Sequence, residues 1–229
     1  MSKNIIEVKN LVKIYQDGSE QFRALDDVSL NIKEGESVAI IGKSGSGKST
    51  LMHLLAALDK PNEGEIFING NNIAKMKKRE LNKLRNQTFG FVFQQFFMNP
   101  KDTVLQSVIL PLKIAKISPR KRKETAMKAL EAVDLVDKAR NKASNLSGGQ
   151  KQRVCVARAV ANSPKIIFAD EPTGNLDTNT GDKVEELLFG LNKEKGITLI
   201  IVTHDEALAE KCNRQIRLQD GKIISKGEK

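Results

Sequence analysis

Glycine, lysine and serine recur near residue 45 in a spacing that suits phosphate binding. Residues 42–49 read Gly-Lys-Ser-Gly-Ser-Gly-Lys-Ser and match the pattern G-x-x-x-x-G-K-[ST] at every fixed position. Glycines let the backbone wrap so that successive N–H groups point at a phosphate, and a following helix adds the positive end of its dipole. We expect Lys48 to reach the terminal phosphates and Ser49 to offer its hydroxyl to Mg²⁺. The segment predicts a site for a nucleoside triphosphate.

Two carboxylates follow an apolar run later in the chain. Ile166-Ile167-Phe168-Ala169 is typical of a buried strand, and Asp170 and Glu171 come directly after it. Asp170 is expected to hold Mg²⁺ through water, because that ion keeps several of its waters. Glu171 points in a different direction and can polarise the water that attacks the γ-phosphate. A helix cap or a solvated turn is the alternative interpretation of such a pair.

A second glycine-rich segment, Leu146-Ser147-Gly148-Gly149-Gln150, lies just before a predicted helix. The Ser147 hydroxyl and the backbone N–H groups at the start of that helix form a second anion-binding device. It lies too far along the sequence to be part of the first. A GTPase or a kinase would also have a phosphate loop and an acidic strand end, so this second device is the feature that discriminates.

Apolar periodicity and turn residues divide the chain into strands and helices. The first ~35 residues alternate apolar and polar side chains around Asp17-Gly18, which predicts an antiparallel strand region. Strands are predicted at residues 37–41, 65–70 (with a turn), 165–169 and 198–203, helices at 49–58, 151–161 and 180–191, and a mainly helical insertion at 100–161. Buried strands that alternate with helices imply a parallel sheet.

Composition limits the class of protein. The 229 residues, 39% apolar and 29% charged, suffice for one sizeable globular domain. The longest apolar stretches fall far short of the ~20 residues of a spanning helix and no signal peptide is visible, so we expect a cytoplasmic protein. Cys155 and Cys212 are isolated and are interpreted as packing residues. The net charge of +10 fits solvated helix faces or attraction to phosphates or a membrane surface, but no nucleic-acid recognition motif accompanies it.

The segment Leu146–Gln150, followed by Lys-Gln-Arg, resembles the signature of the ABC ATPases, and the resemblance covers essentially the whole chain with every motif in the family's order. It implies an α/β fold: the ABC-type nucleotide-binding domain of the P-loop NTPases, with an antiparallel β region and a helical lobe. Residues 1–229 would form one such domain. Residues 1–96 and 162–229 would be the catalytic lobe, and residues 97–161 the helical lobe that carries the signature.

The resemblance also implies an ATP-dependent head-to-tail homodimer that hydrolyses ATP, in which each signature closes on the ATP held by the other subunit. The residues implied to bind ATP within one subunit are Tyr15, Gly42, Lys43, Ser44, Gly45, Ser46, Gly47, Lys48, Ser49, Thr50 and Gln94. Those implied to bind it in trans are Ser147, Gly148, Gly149 and Gln150. Catalytic roles fall to Lys48, Glu171 and His204, Mg²⁺ binding to Ser49, Gln94 and Asp170, and the dimer interface to Asn175 and Asp177.

Some of these assignments rest on position in the motif order. Tyr15, the sole tyrosine, matches the family's aromatic residue stacked on adenine, with core packing as the alternative. Gln94 matches the Q-loop glutamine, although Gln95 fits by inspection equally well. His204 matches the switch histidine that contacts the γ-phosphate and holds Glu171, with a helix cap as the alternative. His53, inside the helix after the phosphate loop, is interpreted as structural.

Residues 91–96 and 171–177 resemble the MacB/LolD subgroup of ABC transporters. In that subgroup the ATPase lies on the inner face of the membrane and drives a separate four-helix subunit for export, lipoprotein release or mechanotransmission. Phe96, Phe97 and Met98 suit docking of such a subunit, or simple packing. Residues 98–102 (Met-Asn-Pro-Lys-Asp) depart from the subgroup's usual pattern and leave the partner open. An importer ATPase is the alternative, followed by a soluble ABC ATPase without a transport role.

Overall fold

The structure is a computed structural model that describes residues 3–18 and 20–228. The chain forms two compact units, Met1–Arg85 with Thr198–Lys229, and Asn86–Ile197. The strands are β1 (Asn4–Asp17), β2 (Glu20–Lys33), β3 (Ser37–Ile41), β4 (Glu63–Ile68), β5 (Asn71–Asn72), β6 (Phe89–Phe93), β7 (Ile166–Asp170), β8 (Thr198–Val202), β9 (Arg214–Gln219) and β10 (Lys222–Glu228). The helices are α1 (Lys48–Leu55), α2 (Lys78–Thr88), α3 (Val104–Ile114), α4 (Pro119–Glu131), α5 (Gly148–Val160), α6 (Thr178–Lys195) and α7 (Glu206–Glu210).

In the first unit, an antiparallel sheet has the strand order β2-β1-β4-β5. β1 and β2 form the predicted hairpin, with Asp17 paired to Glu20 across the turn. Gly18 has a φ of +58°, which suits a tight turn, whereas Ser19 lies outside the described residues. Val28, Leu30 and Ile32 alternate with exposed side chains along β2, so one face of this sheet belongs to the core.

A second set of strands in the first unit runs in the order β10-β9-β3-β8. β3 pairs in parallel with both β8 and β9, which confirms the predicted parallel arrangement. All five residues of β3 and all five of β8 are buried, as expected for central strands covered on both faces. Helix α1 buries Leu51, Met52, Leu54 and Leu55, and contacts β2 and β8.

The second unit consists of β6 and β7, which pair in parallel, and of helices α3 to α6. A Cβ atom on Gly90 of β6 would lie 2.6 Å from the carbonyl oxygen of Ala159, so α5 packs directly on that strand. Phe168 of β7 lies edge-on to Phe89 at 5.3 Å and stacks on Phe91 at 5.7 Å between ring centroids. The ring contacts join β6 to β7, and the close approach at Gly90 joins β6 to α5.

The compact units do not follow the boundaries of the predicted lobes. Residues 86–96 and 162–197 group with the helical segment, because β6 packs on α5 and pairs with β7. The predicted catalytic and helical lobes are defined by function, whereas the compact units are defined by contacts within the chain. The division into two lobes therefore stays a prediction. The helices begin and end within a few residues of the predicted bounds, except that α6 is longer at both ends. Among the described residues, no helix has the length and apolar character needed to cross a membrane.

Candidate functional site

The phosphate loop leaves β3 at Gly42 and ends where α1 begins at Lys48. Gly47 has a φ of +99°, and a Cβ atom there would lie 2.5 Å from the carbonyl oxygen of Ala24, so only glycine fits. Lys48 Nζ donates hydrogen bonds to the carbonyl oxygens of Gly42 and Lys43, both at 2.9 Å. The loop thus presents an ammonium group and a helix N-terminus together, which is the arrangement that binds phosphate.

The other predicted residues of this loop differ in exposure. Lys43, Ser44, Gly45 and Ser49 are exposed, and Thr50 is half-buried. Ser46 is buried, and its Oγ atom has no hydrogen-bond partner among the described residues. Ser49 follows Lys48 in the first turn of α1, so its hydroxyl is available from solvent at the end of the helix where anions bind.

Tyr15 lies on β1 with 38% of its surface exposed, which is more than a core side chain would have. Its hydroxyl donates to Asp59 Oδ2 at 3.1 Å, and Lys13 Nζ lies 4.8 Å from the centre of its ring. Burial raises the pKa of Asp59, but hydrogen bonds from Lys13, the Lys60 N–H and Tyr15 outweigh it and hold that pKa below its ordinary value. Tyr15 is therefore an exposed ring in a fixed position.

His204 is exposed and follows β8 at the same sheet edge from which the phosphate loop leaves β3. The Thr203 N–H donates to the carbonyl of Ile40 at 3.2 Å, which joins the two strand ends. Asp205, and not His204, caps α7, since its carboxylate accepts from the N–H groups of Ala207 and Leu208 at 2.8 and 3.2 Å. The helix cap that the sequence left as the alternative for His204 is therefore provided by Asp205.

In the second unit, the carboxyl ends of β6 and β7 lie side by side. Phe93 is paired with Asp170, and each is the last residue of its strand. Gln94 and Glu171 therefore directly follow the ends of two paired strands. Glu171 has a φ of +45°, a left-handed conformation that non-glycine residues rarely adopt. A Cβ atom on Gly174 would lie 3.0 Å from Gln94 Nε2 and 3.5 Å from Glu171 Cβ. The predicted Gln94 and both carboxylates thus belong to one cluster.

A reciprocal pair of hydrogen bonds joins Gln94 to Asn175. Gln94 Nε2 donates to Asn175 Oδ1 at 3.2 Å, and Asn175 Nδ2 donates to the carbonyl of Gln94 at 3.0 Å. Gln95 instead lines a groove beside Phe96. The two glutamines that the sequence left equivalent therefore differ in their surroundings, and the assignment of Gln94 to the nucleotide site stays a prediction.

Asp177 caps the N-terminus of α6. Its carboxylate accepts from the Thr180 N–H at 3.0 Å and from Thr180 Oγ1 at 2.7 Å. The Thr180 hydroxyl and then the Thr180 N–H hold the pKa of Asp177 below its ordinary value. Both Asp177 and Asn175 are exposed, as a surface that meets another protein requires.

The signature segment forms the N-terminus of α5 through a capping box. The Gln150 N–H donates to Ser147 Oγ at 3.3 Å, and the Ser147 N–H donates to Gln150 Oε1 at 3.0 Å. A Cβ atom on Gly149 would lie 1.9 Å from Thr180 Cγ2, so α5 and α6 can approach only with glycine at this position. The first N–H groups of a helix have no partner inside it, so those of Gly148 and Gly149 can bind an anion.

A groove of about 340 Å³ lies next to Gln94 in the chain. It is lined by Gln95, Phe96, Phe97, Met98, Pro100, Ala143, Ser144 and Lys151. Phe97 is 66% exposed and has a φ of +42°, although its ring packs edge-on against Phe93 at 5.4 Å. Arg158 of α5 donates to the carbonyl oxygens of Phe97 and Phe96 at 2.9 and 3.0 Å. Phe97 is thus packed against Phe93 on one side and exposed to solvent over most of its surface.

Two residues of α5 were missed in the sequence. Gln152 is 1% exposed and donates to backbone carbonyls beside Gln94 and Glu171, and Arg158 holds the groove segment. The available signal was periodicity: Gln152 falls on the buried stripe with Gly149, Val156 and Ala159, where a polar side chain needs a partner. Both cysteines are buried, as predicted, and the half-buried His53 lies within α1.

The donor atoms of the predicted metal ligands suit Mg²⁺. Ser49, Gln94 and Asp170 offer a hydroxyl, an amide oxygen and a carboxylate, which are hard oxygen ligands. Within residues 3–18 and 20–228, no group of three or more His, Cys, Asp or Glu side chains could hold a metal by itself. The donor set therefore fits an ion that shares its coordination with phosphate oxygens and water.

Comparisons with known proteins give one family. The model of the family described as ABC transporter matches residues 25–174. A structure of the ATP-binding cassette MJ0796 bound to ADP and Pi, described as dimeric and post-hydrolysis, is 45% identical, with a TM-score of 0.89 and coverage of 97% of this chain and 98% of that one. A second structure of MJ0796, described as a bacterial ABC transporter cassette and as dimeric, is 46% identical with the same TM-score and coverage.

A third similar structure is CbiO1 from Clostridium perfringens, described as part of the ABC transporter complex CbiONQ. It is 31% identical, with a TM-score of 0.87 and coverage of 98% of this chain and 88% of that one. The chain belongs to the ABC transporter family and is an ATP-binding, ATP-hydrolysing domain of that family.

Proposed function

We propose that two copies of this chain associate head to tail around two ATP molecules and use the cycle of binding and hydrolysis to drive a separate membrane subunit. The observation that carries the proposal is the pair of anion-binding helix N-termini in one chain, at Lys48 and at Ser147. One subunit needs only one of them for its own nucleotide. The structures of MJ0796, which are 45–46% identical to this chain, are described as dimeric. This supports a second copy of the chain as the subunit whose nucleotide is bound by the other helix N-terminus.

Within each site, the phosphate loop and Lys48 bind the triphosphate, and Tyr15 stacks on adenine. Ser147 and Gly149 of the opposite subunit close on the γ-phosphate. Ser49, Gln94 and Asp170 hold Mg²⁺, which when bound neutralises charge on the phosphate oxygens. Asn175 and Asp177 lie in the dimer interface.

Glu171 polarises the attacking water, and His204 contacts the γ-phosphate and keeps Glu171 in place. Proton transfer from water to the Glu171 carboxylate accompanies attack on the γ-phosphorus, and ADP leaves with the bridging oxygen. Loss of the γ-phosphate removes the contacts made by Ser147 and Gly149, so the dimer opens. ATP binding and hydrolysis therefore alternate two states that a partner can follow.

The partner that we propose is a MacB/LolD-type membrane subunit, docked at the Phe96–Met98 groove on the inner face of the membrane. An aromatic ring that is 66% exposed beside a cavity of about 340 Å³ is suited to receive an apolar segment of another protein. Gln94 lies at one end of the same loop, so a movement of the groove would be transmitted directly to Gln94 and to the neighbouring Glu171. The motifs at residues 91–96 and 171–177 support this subgroup.

An importer ATPase is the second candidate. The 31% identity over 98% of this chain with CbiO1, which is described as part of the ABC transporter complex CbiONQ, supports a role in a transporter complex for both candidates. The subgroup motifs at residues 91–96 and 171–177 favour the first candidate.

The Glu171→Gln variant tests the nucleotide mechanism. An amide cannot accept the proton of water, so we expect ATP binding to persist and the hydrolysis rate to fall at least ~100-fold. We also expect a stable dimer in the presence of ATP, measured by light scattering after size-exclusion chromatography. Glu194→Gln, an exposed change on α6, is the matched control and should behave as wild type. Full turnover by Glu171→Gln would refute the assignment.

The same variant identifies the partner. Trapped with ATP in membranes of its own cell, it should co-purify with a membrane subunit that has few spanning helices and a large outer domain, identified by mass spectrometry. Phe97→Ser should reduce that recovery without changing ATP hydrolysis by the isolated chain. Recovery of a many-helix permease would favour the importer, and recovery of ribosomal or nucleic-acid partners alone would refute the transport role.

A further inference from the structure

We infer that Gln152 is a positioning residue for ATP hydrolysis, which fixes the Glu171 loop and the Gln94 loop to the signature helix α5. The inference rests on the proposed role of Glu171 and extends it to a residue that does not touch the nucleotide. Gln152 lies about one and a half turns after Ser147 and is 1% exposed. Its neighbours on the buried face of α5 are glycine, valine, alanine and cysteine.

The two hydrogen bonds of Gln152 connect the Glu171 loop with the Gln94 loop. Nε2 donates to the carbonyl oxygen of Pro172 at 2.7 Å and to that of Phe93 at 3.2 Å. Pro172 directly follows Glu171, and Phe93 directly precedes Gln94. One buried amide therefore sets the spacing between the end of β6, the end of β7 and the start of α5.

The backbone at Glu171 requires such a support. Its φ of +45° is a conformation that L residues avoid, and it persists only where the surroundings determine it. The Gly174 N–H donates to the Glu171 carbonyl at 3.2 Å on one side, and Gln152 holds the Pro172 carbonyl on the other. Loss of the Gln152 bonds would let the loop relax and carry the carboxylate away from the position that polarises water.

The remaining polar atom of Gln152 argues against a purely stabilising role. Oε1 is buried and has no hydrogen-bond partner among the described residues. The amide cannot turn over to satisfy it, because Oε1 would then face two carbonyl oxygens. An unpartnered buried oxygen is unfavourable, and an apolar side chain on this stripe would avoid it. We therefore assign Gln152 the role of positioning the Glu171 loop and the Gln94 loop.

The experiment compares Gln152→Met, which keeps the volume and removes both hydrogen bonds, with wild type. We expect kcat for ATP hydrolysis to fall about 10- to 100-fold, because small misplacements of a reacting group have effects of this size. The dissociation constant for ATP should stay within about twofold, since the hydrogen bonds of Gln152 go to the carbonyls of Phe93 and Pro172, neither of which is assigned to the nucleotide. The matched control is Asn192→Leu, in which a buried amide that donates to the Ile197 carbonyl is lost from α6. It should lower the melting temperature and leave kcat unchanged.

A second variant, Gln152→Glu, gives a readout that a structural role alone would not produce. A neutral carboxyl group can donate one hydrogen bond to these carbonyls, whereas a carboxylate cannot. Burial beside two carbonyl oxygens favours the neutral form. Relative to wild type at each pH, kcat of Gln152→Glu should therefore rise as the pH is lowered, whereas the ratio for Gln152→Met should stay constant.

The outcomes separate this inference from the proposed function. If Glu171→Gln stops hydrolysis while Gln152→Met retains wild-type kcat, the inference is wrong and the proposed mechanism stands. A loss of kcat in Gln152→Met that Asn192→Leu matches at equal loss of stability would also overturn it, as would an equal loss of ATP affinity. If Glu171→Gln turns over normally, the proposed mechanism itself is refuted.

Discussion

Two residues with proposed roles have a left-handed backbone, one directly after β7 and the other four residues after the end of β6. Glu171 and Phe97 have φ values of +45° and +42°, and neither is glycine or asparagine. Such conformations cost about 1–3 kcal/mol each and cluster at functional sites, where other contacts maintain them. Here the neighbouring carbonyls are held by Gln152 and Arg158 of α5. Both the proposed water-polarising residue and the proposed docking residue are therefore locally strained.

Cys155 leads to a prediction about reactivity. Burial raises the pKa of its thiol to about 11, although the nearby Arg158 acts in the opposite direction. Only the thiolate reacts with alkylating reagents, and at pH 8 its share would be roughly one part in a thousand. We expect iodoacetamide to leave Cys155 unmodified in the native protein and to label it in guanidinium chloride, measured by mass spectrometry. Rapid labelling of the native protein at pH 8 would contradict the buried environment.

At the scale of elements, helix α5 carries contacts to every part of the second unit's candidate site. Its N-terminus is the signature, Gln152 holds the strand ends, and Arg158 holds the groove segment. These three positions span about three turns of one helix, which is short enough to move as a rigid body. We expect a displacement at the groove to reach the signature through this helix without other intermediates.

The close approach of α5 and α6 leads to a second prediction. Gly149→Ala would place a Cβ atom 1.9 Å from Thr180 Cγ2, so the helices must separate. We expect a loss of about 1–3 kcal/mol in the free energy of unfolding, as for other overpacked sites, together with slower ATP hydrolysis. Thr180→Ser removes Cγ2 and keeps the hydroxyl that bonds to Asp177. The double variant should recover most of the stability in urea denaturation. No recovery would mean that the contact is not the cause.

Asp177 at the start of α6 predicts a pH dependence. Its pKa is depressed in the folded state, so it stabilises the protein above its unfolded pKa of about 4, and this contribution is lost as the pH falls through the lower folded value. Asp177→Asn keeps an acceptor for the cap but loses the charge. We expect the variant to melt below wild type at pH 7 and the difference to shrink below about pH 4. An unchanged difference at both pH values would contradict the assignment.

At the scale of the whole molecule, a nearly buried ion pair ties together strands that are far apart in sequence. Arg214 of β9 and Glu36, which precedes β3, have side chains 7% and 12% exposed, with Arg214 Nε 2.7 Å from Glu36 Oε1. That N–H is poorly aligned with the oxygen, so this contact is an ion pair and not a hydrogen bond. Arg214 Nη2 also donates to Glu36 Oε2 at 3.1 Å and to the Asn31 carbonyl at 2.5 Å.

Removal of one partner of this pair should affect the whole fold. Arg214→Met leaves the Glu36 carboxylate buried without its counter-ion, so we expect a loss of about 3–5 kcal/mol in the free energy of unfolding. The double variant with Glu36→Gln should recover a large part, because no uncompensated charge then remains. Urea denaturation of the two variants and of wild type measures both values. Equal stability of single variant and wild type would show that the pair is not energetically important.

The sequence by itself determined those features that depend on neighbouring residues. The strand–loop–helix around residues 42–49 follows from glycine positions and from the apolar run before them, and the capping box of Ser147 and Gln150 lies within one helical turn. Parallel pairing of the buried strands and the β1–β2 hairpin were likewise correctly predicted. The loop, the cap and the hairpin each involve a few neighbouring residues, and the pattern of residue types shows them directly. Parallel pairing joins distant strands, but apolar strands that alternate with helices are typical of a parallel sheet.

Only the tertiary structure decided features that depend on residues distant in sequence. The difference in surroundings between Gln94 and Gln95 comes from Asn175, which is 81 positions from Gln94 and bonds to it. The need for glycine at position 149 comes from Thr180, and the buried partners of Gln152 come from two strand ends. Side-chain periodicity shows which face of an element is buried but not which atoms cover it. Those atoms are brought together only when β6, β7 and α5 pack into one unit.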